Sequence, residues 1–200
     1  PVTLIKAPLS ELEERGDLPE ESKKKLAIAV KNAEKLFSMI TQLLELQKVE
    51  AHPEHLEVAL YNVKAYMEDK LSAFRMAAAK KEIELYLEVE PEMSEVWLDK
   101  SKMDHIMDNL LSNAFKYTPG GKLIRVFIHE DEGTVYVGVQ DQGIGIAENK
   151  KKSLFVRFEN LVDKNLFNQA STGIGLSLVK ELVEMHKAVI SVDSKLGEGS

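Results

Sequence analysis

The chain has 200 residues, 44% of them hydrophobic and 30% charged, with a formal net charge of −7 and no cysteine. Such a length supports one core or two small domains without a metal or disulfide, and the missing thiols exclude a disulfide framework and a cysteine nucleophile and fit a reducing, cytosolic setting. The acidic balance excludes an extended nucleic-acid-binding face, although a local cluster such as Lys150, Lys151 and Lys152 can still meet a small polyanion.

No run approaches the ~20 apolar residues of a membrane-spanning helix, and no signal-peptide pattern opens the chain, so this stretch is expected to be soluble and to make no membrane contact. The start at Pro1 and the stop at Gly199-Ser200, directly after a strand-like segment, read as cuts through a longer protein.

In chain order, residues 1–50 read as a helical hairpin. Apolar positions recur at three and four: Val2, Ile5, Leu9 and Leu12, then Leu26, Val30, Ala33, Phe37, Ile40 and Leu44. Gly16 suits the end of the first helix, Asp17 with Glu20 resembles a capping box for the second, and Pro8 is expected to bend the first. A further line of Ala29, Leu36 and Leu43 widens the second stripe beyond what one neighbour covers. That predicts a homodimer through a four-helix bundle, in preference to packing on the rest of the chain.

After the linker at 51–55 the periodicity changes, placing a domain boundary near residue 55 and a second domain over 56–200. Strands are expected near 56–60, 82–89, 95–98, 123–130, 134–141 and 188–194, and helices near 62–80, 99–117 and 175–187. Short turns such as Asp131-Glu132-Gly133 predict antiparallel pairing in a helix-covered sheet. The class is α+β, a helical hairpin followed by an α/β sandwich.

Three elements carry chemistry. In the 99–117 helix, Asn109, Asn113 and Lys116 share a narrow arc beside an apolar stripe of Met103, Ile106, Leu110 and Ala114. Amide oxygens are neutral hard ligands suited to Mg²⁺, and lysine supplies a point charge for phosphate, although the same arc alone reads equally as a solvated edge. In Asp141-Gln142-Gly143-Ile144-Gly145-Ile146 a strand ends in a carboxylate and enters two glycines that let backbone approach a ligand. A carboxylate only accepts hydrogen bonds, so it suits the exocyclic amino group of adenine and rejects a carbonyl there. In Ser171-Thr172-Gly173-Ile174-Gly175-Leu176 glycines open a helix, where free N–H groups suit phosphate. A dinucleotide fingerprint fails on detail, because Ser177 stands where its third glycine belongs and this helix precedes a strand; no P-loop lysine follows the glycines.

Taken in order, these elements resemble the histidine kinase branch of the GHKL ATPases. The asparagine motif matches Asn109-Leu110-Leu111-Ser112-Asn113-Ala114-Phe115-Lys116-Tyr117 and the first glycine box Asp141-Gln142-Gly143-Ile144-Gly145. The phenylalanine box matches Phe155-Val156-Arg157-Phe158 and the second glycine box Thr172-Gly173-Ile174-Gly175-Leu176, while residues 1–50 resemble the dimerisation hairpin. The resemblance implies ATP and Mg²⁺ as ligands, with Asn113 coordinating the metal and Asn109 assisting. It further implies Lys116 and Tyr117 at the phosphates or ribose, Asp141 reading adenine, residues 147–172 as a mobile lid, and Arg157 as a γ-phosphate contact. Phe155 and Phe158 are expected to pack the lid's short helix.

The family's phosphoacceptor histidine lies five residues before the proline that matches Pro1. His52 and His55 lack further metal ligands, and His105, His129 and His186 sit in no phosphoacceptor motif. Lys187 and Ala188 replace glycines usual after the histidine matching His186, and the final strand expected after Ser200 is missing. For the parent protein the resemblance implies two-component signalling: a cytoplasmic portion of a membrane-anchored sensor, of the gut Bacteroides hybrid kind, transferring the ATP γ-phosphoryl group to a histidine and then to a response-regulator receiver aspartate. The alternatives are an ATP-driven clamp of the gyrase, mismatch-repair or chaperone type, disfavoured by the phenylalanine box and hairpin, and a non-catalytic ATP-binding scaffold.

Overall fold

The computed structural model describes residues 8, 12, 18–51, 55–90, 95–159 and 173–200. The chain forms two compact units, Pro1–Ala51 and His52–Ser200. In the first, Pro8 and Leu12 have helical backbone, and helix α1 runs over Glu20–Ala51. Gly16, Asp17 and the neighbours of Pro8, which carry the expected turn, cap and bend, lie outside the described residues. Acidic Glu20 and Glu21 begin α1 and basic Lys48 ends it, in the sense that opposes the helix dipole, and Lys23–Glu20, Lys25–Glu21 and Lys48–Glu45 pair along its surface. Ala33, Leu46 and Val49 are buried, whereas Leu36, Phe37, Ile40, Leu43 and Leu44 are exposed.

The second unit runs β1 (Ala59–Asn62), α2 (Val63–Lys81), β2 (Glu84–Val89), β3 (Glu95–Leu98), α3 (Lys100–Tyr117), β4 (Leu123–Asp131), β5 (Thr134–Asp141), α4 (Glu148–Lys151) and α5 (Gly175–Met185). Local chemistry explains the starts: Asn62 Oδ1 accepts the Ala65 N–H at 2.8 Å, and Asp99 Oδ1 accepts the Lys102 N–H at 3.1 Å. The β4–β5 hairpin turns through Glu132 and Gly133, both at positive φ, as a two-residue turn requires.

Pairing departs from expectation in three places. β1 begins at Ala59, later than the expected 56, because its ladder with β3 starts at the Ala59–Leu98 pair. The sheet is mixed: β2 joins β4 in parallel and β5 joins β4 antiparallel, while β1 and β3 form a separate antiparallel pair. The turn residues at 132–133 announce one hairpin, whereas α3 connects strands whose pairing no local signal declares. Finally, residues 188–194 form no strand. Ile190, Val192 and Ser194 are more buried than Val189, Ser191 and Asp193, so the alternation is real, but it lacks a hydrogen-bonded ladder. Periodicity reports which face is buried, not which backbone groups pair.

The core lies between the helices and the inner sheet face, built from Val63, Met67 and Leu71 of α2, Met107 and Leu111 of α3, and Val126 and Ile128 of β4. Ile106 and Ala114 of the expected α3 stripe are buried, but the buried face also takes in Met107, Leu111 and Phe115, whereas Met103 and Leu110 are only half-buried. A sheet on one side and α5 on another widen the arc that α3 must cover. α2 and α3 are also joined by charge: Tyr66 O–H donates to Asp104 at 3.0 Å, and Lys70 bridges Asp104 at 3.2 Å and Asp108 at 2.7 Å.

Candidate functional site

The first wall of the site is the exposed edge of α3. Asn109, Asn113 and Lys116 lie along it, each half-buried, so the buried Met107–Leu111 face holds them in place without covering them. Asn109 Nδ2 donates to the His105 carbonyl at 2.8 Å, which fixes that amide's rotamer. Lys116 Nζ stands 5.2 Å from the centre of the Tyr117 ring, a cation–π contact that keeps the ammonium beside the helix end. Lys81, the last residue of α2, donates to the Phe115 carbonyl at 2.6 Å and satisfies an acceptor of the final α3 turn.

The second wall is the turn after β5. Asp141 Oδ1 accepts the Gly143 N–H at 2.7 Å, so the carboxylate folds over its own turn. Burial pushes the Asp141 carboxyl above its ordinary value, with the backbone N–H groups of Gly143 and Ser200 pulling it back. A Cβ on Gly143 would lie 2.7 Å from the Tyr117 carbonyl, and that carbonyl accepts the Ile144 N–H at 3.3 Å. Only glycine lets the turn close on the end of α3, which brings Asp141 to the helix carrying Asn113, Lys116 and Tyr117. Gly145 has φ +66 and would put a Cβ onto the Lys195 carbonyl.

The third wall is the start of α5. Gly173 is at φ +72, Ile174 is buried, and α5 packs on α3 through a face containing the buried Leu178, Val179 and Leu182. The N-cap residue Ile174 has no side-chain oxygen to cap the first turn of α5, and Gly175 and Leu176 open it with N–H groups of the kind a phosphate can meet. Thr172 and the lid residues 160–171 lie outside the described residues. On either side of residues 160–172, the Phe158 N–H donates to the Gly173 carbonyl at 2.8 Å.

Arg157 pairs with Glu181 of α5 through one guanidinium nitrogen at 3.2 Å. One expectation changes here. Phe158 does not pack: it is 62% exposed at φ +64, turned out by the left-handed backbone that its bond to Gly173 requires. The sequence reading also missed Lys81 and the loop Ser194–Ser200, which contacts the Asp141–Ile146 turn. Gly197-Glu198-Gly199 was the available signal, since two glycines there permit close backbone approach.

The family profile of histidine kinase-, DNA gyrase B- and HSP90-like ATPases matches residues 98–200, which span all three walls. The chain belongs to this ATPase family. Among its relatives, the sensor histidine kinase TmoS of Ectopseudomonas mendocina is 35% identical over the whole of this chain and 21% of its own length. A histidine kinase of Formosa agariphila is 32% identical over the whole chain and 15% of its own. The chain therefore spans about a fifth or less of those relatives. The solved structure of full-length ShkA with AMPPNP has the same fold, with a TM-score of 0.77 at 20% identity over 99% of this chain and 42% of the other.

The residues present fit a nucleotide. A partly desolvated carboxylate can accept an amino N–H, glycines let backbone come close, and the Asn113 amide and Lys116 ammonium stand on the adjoining helix edge.

Proposed function

We propose that the unit His52–Ser200 binds Mg-ATP between α3, the Asp141 turn and the start of α5. We further propose that in its parent protein it delivers the γ-phosphoryl group to a histidine, from which a receiver-domain aspartate takes it. The observation that carries this reading is Asp141: a half-buried acceptor at the end of β5, joined through Gly143 and Ile144 to the end of the asparagine helix. The family match supports nucleotide binding, and relatives named sensor histidine kinases support the kinase reading over a clamp or a scaffold.

Asp141 would accept the adenine amino N–H, and the Gly143 bond to the same carboxylate would hold it in that orientation. Asn113, assisted by Asn109, would hold Mg²⁺, which supplies charge neutralisation between phosphates. Lys116 and Tyr117 would face the phosphates or ribose, and the N–H groups at Gly173, Gly175 and Leu176, with Thr172, would meet phosphate oxygens. Residues 147–172 would close over the ligand and exclude water, with Arg157 exchanging Glu181 for the γ-phosphate. Catalysis of this kind is positioning and electrostatic stabilisation, so no side chain need form a covalent intermediate. The exposed stripe of α1 supports a homodimer. No described helix is long and apolar enough to cross a membrane; a cytoplasmic position beneath a membrane anchor is proposed from the kinase reading.

The test is thermal. Mg-ATP at about 100 times its Kd should add ~2.7 kcal/mol to folding stability and raise the melting temperature. Asp141→Asn, which replaces an acceptor oxygen by a donor, should remove most of that rise, and an equal rise in the variant would sink the adenine assignment.

A further inference from the structure

The Asp141–Ile146 turn is gripped from behind by the segment Ser194–Ser200. Ser194 Oγ accepts the Ile146 N–H at 2.8 Å, donates to the Gly199 carbonyl at 2.8 Å, and lies 2.9 Å from Ser200 Oγ. A serine hydroxyl has one proton and two lone pairs. With the proton committed to Gly199, the Ser200 hydroxyl donates, and every bonding position of Ser194 is filled. The Gly197 N–H donates to the Ile144 carbonyl at 2.7 Å. Asp141 and Ser200 exchange backbone bonds at 2.8 and 3.2 Å. Glycine is required on both sides of this contact: a Cβ on Gly145 would strike the Lys195 carbonyl, and one on Gly199 the Asp141 carbonyl.

We propose that Ser194 is a positioning residue for adenine recognition, its hydroxyl tying Ile146 to Gly199 so that the turn presents the Asp141 carboxylate in one orientation. The proposal rests on the ATP-site reading above. Asp141 spends one carboxylate oxygen on Gly143 inside this turn, so the direction of the carboxylate follows the path of residues 142–146. The far end of that path is fixed by the Ser194 bond to Ile146. Removing the hydroxyl leaves the half-buried Ile146 N–H and Gly199 carbonyl without this partner, which favours a shifted turn. A serine that merely stabilised the loop would lower the melting temperature without distinguishing ligands.

The experiment compares wild type, Ser194→Ala, Ser194→Thr, Asp141→Asn and the Ser194→Ala/Asp141→Asn pair of the 200-residue chain. Calorimetry measures the affinity for Mg-ATP and for magnesium tripolyphosphate, which has the phosphates without the base. Ser194→Ala should weaken ATP about tenfold and leave tripolyphosphate unchanged. Ser194→Thr, which keeps the hydroxyl, should return ATP affinity to within about twofold of wild type, and Ser194→Ala should have no further effect beside Asp141→Asn. Equal ATP affinity in Ser194→Ala, or parallel loss of both ligands, overturns the proposal. Should Ser194→Ala fail to fold by circular dichroism, Ser194→Cys replaces it; its weaker donor should give about a threefold loss confined to ATP, and no loss overturns the proposal. A wild-type chain that binds no Mg-ATP overturns the site reading, whereas binding with Ser194→Ala unaffected overturns this proposal alone.

Discussion

Asp141 faces two opposed demands. Burial raises its carboxyl, so the folded value lies above the unfolded one, ~3.9. Its contribution to folding is then fully present below the unfolded value and is lost as pH rises through the folded one. Adenine reverses the preference, because its amino group donates more strongly to the ionised carboxylate than to the carbonyl oxygen of the protonated acid. ADP affinity should therefore fall as pH drops through the raised Asp141 value, while Asp141→Asn, having no proton to exchange, should lack that component. The ratio of wild-type to variant affinity, titrated calorimetrically from neutral to mildly acid pH, should shrink toward one; a pH-independent ratio would exclude Asp141 as the titrating acceptor. Asp141, Gly143 and Gly145 were legible in the sequence because a strand-terminal carboxylate running into glycines is a local pattern. Ser194 was not, since its partner Ile146 lies 48 residues away and serine carries no spacing signal of its own.

Helices were easier to foresee than strands, and α5 shows both why and where the foresight stops. Its buried Leu178, Val179 and Leu182 repeat at helical spacing, and its end is set by backbone geometry. The Lys187 N–H donates to Glu184 at 2.9 Å and the Ala188 N–H to Val183 at 3.1 Å, the two bonds of a Schellman cap. Lys187 takes the left-handed position at φ +55, where glycine is usual in such caps. The departure visible in the sequence thus changes the strain, not the path. A left-handed non-glycine residue costs about 1–2 kcal/mol, partly offset by the greater freedom glycine loses on folding. Lys187→Gly should stabilise the chain by about 0.5–1 kcal/mol in urea denaturation, with nucleotide affinity unchanged; destabilisation would show that the Lys187 side chain makes a compensating contact. For residues 188–194 the alternation predicted burial and the structure supplies it, but strand pairing depends on a partner edge that a local pattern cannot name. Acid should also loosen α3, because Asp99 and Asp104, penalised by burial, are brought below ordinary carboxylate values by hydrogen bonds from Glu57 and Lys102 and from Lys100, Lys70 and Tyr66. Their contribution is present above the unfolded value and lost as pH falls through the folded one.

At the scale of the whole molecule, the apolar face of α1 bears on assembly. Leu36, Phe37, Ile40, Leu43 and Leu44 recur at the spacing of a single helical stripe, and Leu36 and Leu44 are 58% and 51% exposed. Five large apolar side chains in one line exceed the scattered exposure expected of a surface helix, and covering them with a second copy gives the isologous contact of a twofold dimer. Fully burying an exposed leucine contributes about 1.5–3 kcal/mol and these are about half exposed, so replacing Leu36 and Leu43 by glutamate in both protomers should weaken dimerisation by at least about 10²-fold. Sedimentation velocity should find wild type dimeric and Leu36→Glu/Leu43→Glu monomeric. Because every residue of the proposed nucleotide site belongs to the unit His52–Ser200, the variant should keep the Mg-ATP rise in melting temperature. A monomeric wild type would remove the dimer from this account, and loss of the nucleotide response in the variant would show that assembly and binding are coupled.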